Sequence, residues 1–210
     1  RGTTDDKGPT LCCLYAMKQL KDEGFKPKKK IRFIIGCNEE TGWGDVDYFG
    51  KVTKFPKYGF SPDGDFPVVF AEKGPNEIIF KYDLGKDTSV KSFVGGTVVN
   101  AVCGKCSFKA KIDEKLLEKH GLTVKNGEIV SIGKTAHGSM PEKGRNAILP
   151  ALKYLADIGE NVTPLIEYLF DDKLNLQKVK SVAGNVTMSP DLISLNGTVL
   201  TINVDFRVPA

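Results

Sequence analysis

A chain of 210 residues with 40% hydrophobic and 27% charged side chains is long enough to bury a core, as one large domain or two small ones, and its mixed composition excludes a disordered or fibrous chain. Thirty basic residues against 26 acidic ones leave a net charge of +4. The densest basic run, Lys26-Pro-Lys-Lys-Lys30, has no interleaved aromatics, so it reads as a solvated turn and nucleic-acid binding is not expected.

The first acidic signature, Gly-Thr-Thr-Asp-Asp-Lys-Gly around Asp5, leads into Pro9 to Glu23. There Leu11, Leu14, Tyr15, Met17 and Leu20 recur at helical spacing, with Pro9 suited to a first turn and Gly24 to a C-cap. Ile31 to Ile35 is short, β-branched and aromatic, and predicts a buried strand ending at the second signature, Cys37-Asn-Glu-Glu-Thr-Gly-Trp-Gly44. Val46 to Lys54 predicts a short helix, and Tyr58 to Phe60 a second strand running into the third signature, Ser61-Pro-Asp63. This is an α/β order, in which chemistry gathers at the carboxyl ends of strands.

The character changes after residue 72. Glu77 to Leu84, Ser89 to Val102 and Ser107 to Ile112 predict strands, and Asp113 to His120 a helix. Leu122 to Val130 predicts a hairpin turning at Asn126-Gly127, a pair that tolerates the positive φ angles of a type I′ turn. Asn146 to Ile158 and Val162 to Phe170 follow as helices, then a hairpin from Asp191 to Val208 turning at Asn196-Gly197. The expected architecture is an α/β segment (strand, helix, strand) over residues 1–72, followed by a separate α+β unit over 73–210 with an antiparallel sheet and helices on one face.

Five cysteines (Cys12, Cys13, Cys37, Cys103, Cys106) are odd in number and lie in or beside apolar segments, which favours free thiols over a disulfide framework. Cys103-Gly-Lys-Cys106 has CxxC spacing but no second CxxC or spaced His pair, so thiols on or beside a strand are expected, and not a zinc or redox motif. No stretch approaches the ~20 apolar residues of a membrane span and no signal peptide is visible, so a cytoplasmic protein without a membrane partner is expected.

Each acidic signature sets carboxylates beside Gly or Pro where a site could open. A pair of divalent metals needs a bridging carboxylate and further carboxylates or imidazoles, and a separate carboxylate must take the proton from the attacking water. Asp5, Glu40 and Asp63 can supply the first set and Glu39 the second, since adjacent residues in an extended or turning segment point in different directions. Asp6 and Asp65 are the alternative ligands. Two adjacent glutamates alone are ordinarily solvated surface, and the glycines flanking Glu39-Glu40 weaken that reading.

GTTDDKGP, the glutamate pair in IIGCNEETGWG, PDGDFPV and GKTAHGSMPEKGRNA, taken in order, resemble the metallopeptidase family of aminoacylases, carboxypeptidases and dipeptidases. GFSPDGDFPVVFAEKG is most similar to its dipeptidase V branch of Xaa dipeptidases, which includes carnosinase-like enzymes. The likeness spans nearly the whole chain. It implies a zinc metallopeptidase with two zinc ions per active site, manganese or cobalt being alternatives. Asp5 resembles the bridging ligand, Glu40 and Asp63 the terminal ligands of different metals, and Glu39 the general base; the Asp5–Asp6 peptide is implied to be cis. It further implies a lid domain. His137, in Thr-Ala-His-Gly-Ser, resembles the residue that polarises the scissile carbonyl and stabilises the oxyanion. Asn100, in Gly-Thr-Val-Val-Asn, resembles the residue that reaches the same oxygen, although Ala101-Val-Cys103 replaces the usual residues after it. Arg207, in Asn-Val-Asp-Phe-Arg, resembles the arginine that holds the substrate carboxylate with a bidentate fork. His120 sits at a helix end before Gly121 and has no implied catalytic role.

The sequence departs from the family at two histidines that complete the dinuclear site, one upstream of Asp5 and one near the C-terminus of the full enzyme. The chain's two histidines, His120 and His137, both lie in the second unit. The chain is therefore expected to be the middle of a longer enzyme: a partial catalytic domain over 1–72 and a lid domain over 73–210, incomplete at its C-terminus, with weak or absent metal binding and no useful hydrolysis by itself. The expected substrate is a dipeptide, and the assembly a monomer or a lid-mediated homodimer. The alternatives are a deacylase or desuccinylase of N-acyl amino acids in the same family, or a non-catalytic lid-type association module; a nucleic-acid binder is a distant third.

Overall fold

Helix α1 (Gly8–Asp22) carries Pro9 in its first turn, where the missing N–H leaves no intrahelical bond unmade. It follows a turn over Thr3–Lys7 in which the Asp5–Asp6 peptide is cis, as the resemblance implied. Both belong to Arg1–Phe70, the first of two compact units; Ala71–Ala210 is the second. The computed structural model describes residues 2–39, 42–64 and 67–209.

The first unit also contains α2 (Gly44–Val52), close to the helix predicted over Val46 to Lys54. Its Phe49 ring meets Phe55 at 5.0 Å between centroids. The strands predicted at Ile31 to Ile35 and Tyr58 to Phe60 are not formed. A strand needs a ladder partner for its backbone, and the described residues of this unit hold none. Ile31, Ile34, Ile35, Tyr58 and Phe60 accordingly remain exposed, as do Leu11, Leu14 and Leu20 on α1.

In the second unit the strands are β1 (Lys73–Asp83), β2 (Ser92–Gly95), β3 (Lys105–Lys109), β4 (Thr123–Lys125), β5 (Glu128–Ile132), β6 (Lys180–Ser181), β7 (Gly184–Asn185), β8 (Thr187–Asn196) and β9 (Val199–Pro209). Seven of them form one sheet in the order β1-β9-β8-β2-β3-β5-β4, and β6-β7 is a separate ribbon. Every pairing is antiparallel. The unit's first strand, β1, thus lies against its last, β9, in register from Lys73↔Pro209 to Asp83↔Val199.

The helices are α3 (Glu114–His120), α4 (Ile148–Asp157) and α5 (Thr163–Leu169). Residues Ile148, Ala151, Leu152 and Leu155 of α4 and Leu165, Ile166 and Leu169 of α5 are buried with Phe93, Phe108, Ile129, Ile193, Ile202 and Val204 of the sheet. Along β2 the alternation is plain: Phe93 is buried and its neighbour Val94 exposed. Phe108 stacks between Phe93 (5.0 Å) and Tyr154 (5.9 Å). The Tyr154 hydroxyl accepts the Asp113 N–H at 2.9 Å and donates to the Lys111 carbonyl at 2.8 Å. That fixes the approach to α3, which Asp113 caps by accepting from the N–H groups of Lys115 and Leu116.

Two sequence expectations shift here. The strand predicted over Ser89 to Val102 stops at Gly95, because Gly96 adopts φ +80° and lies so close to the next strand that a Cβ would sit 1.9 Å from the Asp191 carbonyl oxygen. The last hairpin closes on Asn196↔Val199, so its two-residue loop is Gly197-Thr198, one step later than predicted. Only Gly197 of that region has positive φ, which suits the first central position of a II′ turn. The first hairpin turns at Asn126-Gly127, both at positive φ, as predicted.

Candidate active site

The three acidic loops lie in the first unit. Asp5 has φ −127° and ψ 98° in the turn ahead of α1 and is exposed. Asp6, beside it, accepts from the Thr10 hydroxyl at 3.2 Å through Oδ2, while its Oδ1 is buried without a hydrogen-bond partner. The Glu39 loop is held shut from α2. Asp45, in the first turn, accepts the N–H groups of Cys37 (2.5 Å) and Asn38 (3.1 Å), and the Asn38 side chain accepts the Gly44 N–H at 2.7 Å. These bonds to the Cys37 and Asn38 backbone favour the ionised carboxylate and hold Asp45 below its ordinary pKa. Glu39 lies in this loop and is exposed. Asp63 follows Ser61, whose hydroxyl receives the Asp63 N–H at 3.4 Å.

A metal centre needs at least three donors brought together. Among the described residues no group of three or more His, Cys, Asp or Glu side chains meets that condition. Glu40 and the alternative ligand Asp65 lie outside the described residues. Asp5 and Asp63 therefore do not by themselves make up a metal-holding set.

In the second unit the three remaining candidates are set by backbone pairing. Ala101 and His137 form an antiparallel bridge. The Gly138 N–H donates to the Asn100 carbonyl at 2.7 Å, and the Val102 N–H to the Ala136 carbonyl at 2.9 Å. Asn100 and His137 thus run side by side, both exposed, with Asn100 at φ +70°. The His137 ring is oriented locally. Its Nδ1 accepts the Ser139 N–H at 3.2 Å and lies 2.7 Å from the Ser139 hydroxyl. An Nδ1 that accepts leaves the proton of the neutral ring on Nε2, so Nε2–H is the donor offered to a ligand.

Arg207 lies on β9 between Pro75 of β1 and Thr187 of β8. Its guanidinium already faces a carboxylate: Nε donates to Asp205 Oδ1 and Nη2 to Asp205 Oδ2, each at 2.9 Å. Nη1 is outside this pair. Nearby, the fully buried Asp191 accepts from the Ser189 hydroxyl through Oδ1 and has no partner of good geometry at Oδ2. Burial first, and then the negative charge of Asp205, push the Asp191 carboxyl up to about 6; the Ser189 hydroxyl, the Asn100 backbone N–H and Arg207 act in the other direction.

Asp191 and Asp205 were not singled out from the sequence. The available signal was the period of two, which puts residue 205 on the same face of its strand as Arg207.

The two CxxC thiols are buried. The Cys103 sulfur meets the Lys105 carbonyl and the Cys106 sulfur the Ala147 carbonyl, as expected for thiols packed beside a strand.

Residues 1–200 match the sequence profile of the family described as "Peptidase family M20/M25/M40". A β-Ala-Xaa dipeptidase of Lactobacillus delbrueckii subsp. lactis is 35% identical over 167 residues, which cover 70% of this chain and 35% of that protein. A protein of Staphylococcus aureus (strain MW2), provisionally named a dipeptidase, is 32% identical over 246 residues, covering 100% of this chain and 52% of its own length. Another provisionally named dipeptidase, from Staphylococcus haemolyticus (strain JCSC1435), is 31% identical over 230 residues, covering 92% and 48%. The chain spans about half the length, or less, of these curated relatives.

Proposed function

The chain belongs to peptidase family M20/M25/M40, and from that premise we propose that it is part of a longer cytoplasmic dipeptidase. In this reading residues 1–72 contribute to a zinc-dependent catalytic domain and 73–210 form most of its lid, the whole acting as a monomer or a lid-mediated dimer. The dipeptidase names of the relatives support peptide hydrolysis and a dipeptide substrate.

The observation that carries the reading furthest is the antiparallel pairing of Ala101 with His137. It supports a shared role for Asn100 and His137, whose ring offers Nε2–H when Nδ1 accepts from Ser139, because two donors held close together can meet a single developing oxyanion. Glu39, on a loop tied to α2, takes the proton from the attacking water and returns it to the leaving amine. Arg207 holds the substrate carboxylate with the donors that Asp205 leaves available. Asp5, Glu40 and Asp63 are the carboxylate share of a two-metal ligand set, and the imidazole share comes from residues beyond these. Bound zinc would supply water activation and charge stabilisation.

The test compares the 210-residue chain with a form extended at both ends, measuring bound metal and hydrolysis of dipeptides and N-acyl amino acids. Metal and dipeptidase activity in the extended form alone are the expected result. Two metals bound by the short chain would overturn the ligand assignment, and preference for N-acyl amino acids would move the function to a deacylase.

A further inference from the structure

Asp205 and Arg207 stand two residues apart on β9, so both side chains leave the same face of the sheet. Their contact is a closed fork, with a third, longer approach of Nε to Oδ2 at 3.2 Å. The side chains are 6% and 17% exposed. In so sheltered a place an arginine without a partner would carry a large desolvation cost, and its long stem would have many rotamers available. The in-plane carboxylate removes that freedom. It fixes the plane of the guanidinium and leaves Nη1 as the edge that can turn to a ligand.

The same carboxylate has a second contact. Gly138 lies so near that a Cβ there would be 2.2 Å from Asp205 Oδ2 and 3.1 Å from the backbone carbon of Asn100. Gly138 follows His137 directly and donates its N–H to the Asn100 carbonyl. One buried carboxylate therefore touches the arginine on one side and, on the other, the backbone step that carries His137 and abuts Asn100.

We propose that Asp205 is a positioning residue that sets the spacing between the Arg207 guanidinium and the His137–Gly138 step, and through that spacing selects substrates whose terminal carboxylate lies one residue beyond the scissile bond. The inference rests on the roles given above to Arg207 and His137. It deepens them by naming what discriminates dipeptides from longer peptides. A tripeptide places its carboxylate one residue, roughly 3.5 Å, further along an extended chain, and a rigidly held fork does not follow it.

The experiment uses the full-length enzyme with three substrates: a dipeptide, the same dipeptide as its C-terminal amide, and the tripeptide lengthened by one residue. Arg207→Ala tests the underlying reading and is expected to raise KM for the dipeptide about tenfold or more while leaving the amide nearly unchanged. Asp205→Asn tests the inference. It is expected to raise the dipeptide KM by about tenfold and to narrow the dipeptide-to-tripeptide ratio of kcat/KM by a similar factor, with kcat on the amide within about twofold of wild type.

An unchanged KM in Arg207→Ala would sink the reading of Arg207. A normal or lowered dipeptide KM and an unchanged ratio in Asp205→Asn, with Arg207→Ala impaired, would overturn the positioning role alone. Should Asp205→Asn fail to fold, the wild-type protein still decides. A closed fork predicts a resolved, slowly exchanging Arg207 Nε–H in nitrogen-15 NMR, and rapid exchange of that proton would refute the proposal.

Discussion

The carbonyl of Asn100 accepts the N–H of Gly138 at 2.7 Å, joining two loops that are far apart in the chain. The bond holds the backbone at Asn100 beside the His137–Gly138 step, one residue from the Ala101–His137 bridge. Replacing His137 with Ala is expected to lower kcat for dipeptide hydrolysis by about 10²–10³, the usual cost of an oxyanion donor, and Asn100→Ala by a smaller factor. KM should change little in either. Steady-state kinetics of the full-length enzyme check this, and a loss confined to KM would remove both residues from oxyanion stabilisation.

Gly138 has no room for a side chain. A Cβ 2.2 Å from Asp205 Oδ2 forces either the buried carboxylate or the loop backbone to move, and neither is the free end of a flexible chain. Gly138→Ala should destabilise the protein by about 1–3 kcal/mol, read from the midpoint of urea unfolding. Wild-type stability in this variant would mean that the loop yields easily.

Asp191 makes stability depend on pH with a sign opposite to that of a salt-bridged acid. Its folded pKa, pushed up to about 6 from 3.8, means that the folded state binds the proton more tightly than the unfolded chain. No penalty is present below pH 3.8. The penalty develops as pH rises from about 4 to 6 and is complete above that, amounting to at most about 3 kcal/mol. Asp191→Asn cannot ionise and should gain stability over wild type at pH 7.5 relative to pH 4.5. Denaturant midpoints at the two pH values measure it, and an identical difference at both would show that Asp191 does not titrate in this range.

The cysteines divide by reactivity. Burial pushes the Cys103 thiol up to about 11 and Cys106 higher still, so neither forms the reactive thiolate near neutral pH. Cys12 and Cys37 are exposed. Iodoacetamide at pH 8 followed by peptide mass spectrometry should label Cys12 and Cys37 first, with Cys103 and Cys106 reacting only after unfolding.

What could be read in the sequence followed from how local each signal was. The α1 periodicity, the Asn126-Gly127 turn and the helix predicted from Asp113 to His120 depend on neighbouring residues, and each formed within a residue or two of its predicted place. The segments at Ile31 to Ile35 and Tyr58 to Phe60 have strand composition, but a strand exists only through a distant partner, which a local pattern does not supply. Ser89 to Val102 failed for a related reason. The approach of β8 to Gly96 ends the strand; the Gly95-Gly96 pair is a local break signal, but the backbone that closes on it lies elsewhere in the chain. For the candidate site, motif resemblance proposed Asn100, His137 and Arg207. It passed over Asp205 and Asp191, whose contacts run across strands and loops.

The register Lys73↔Pro209 sets β1 and β9 side by side along their whole length, on neighbouring strands about 5 Å apart. The entropy of closing so long an excursion is already offset by the eleven paired positions of β1 and β9.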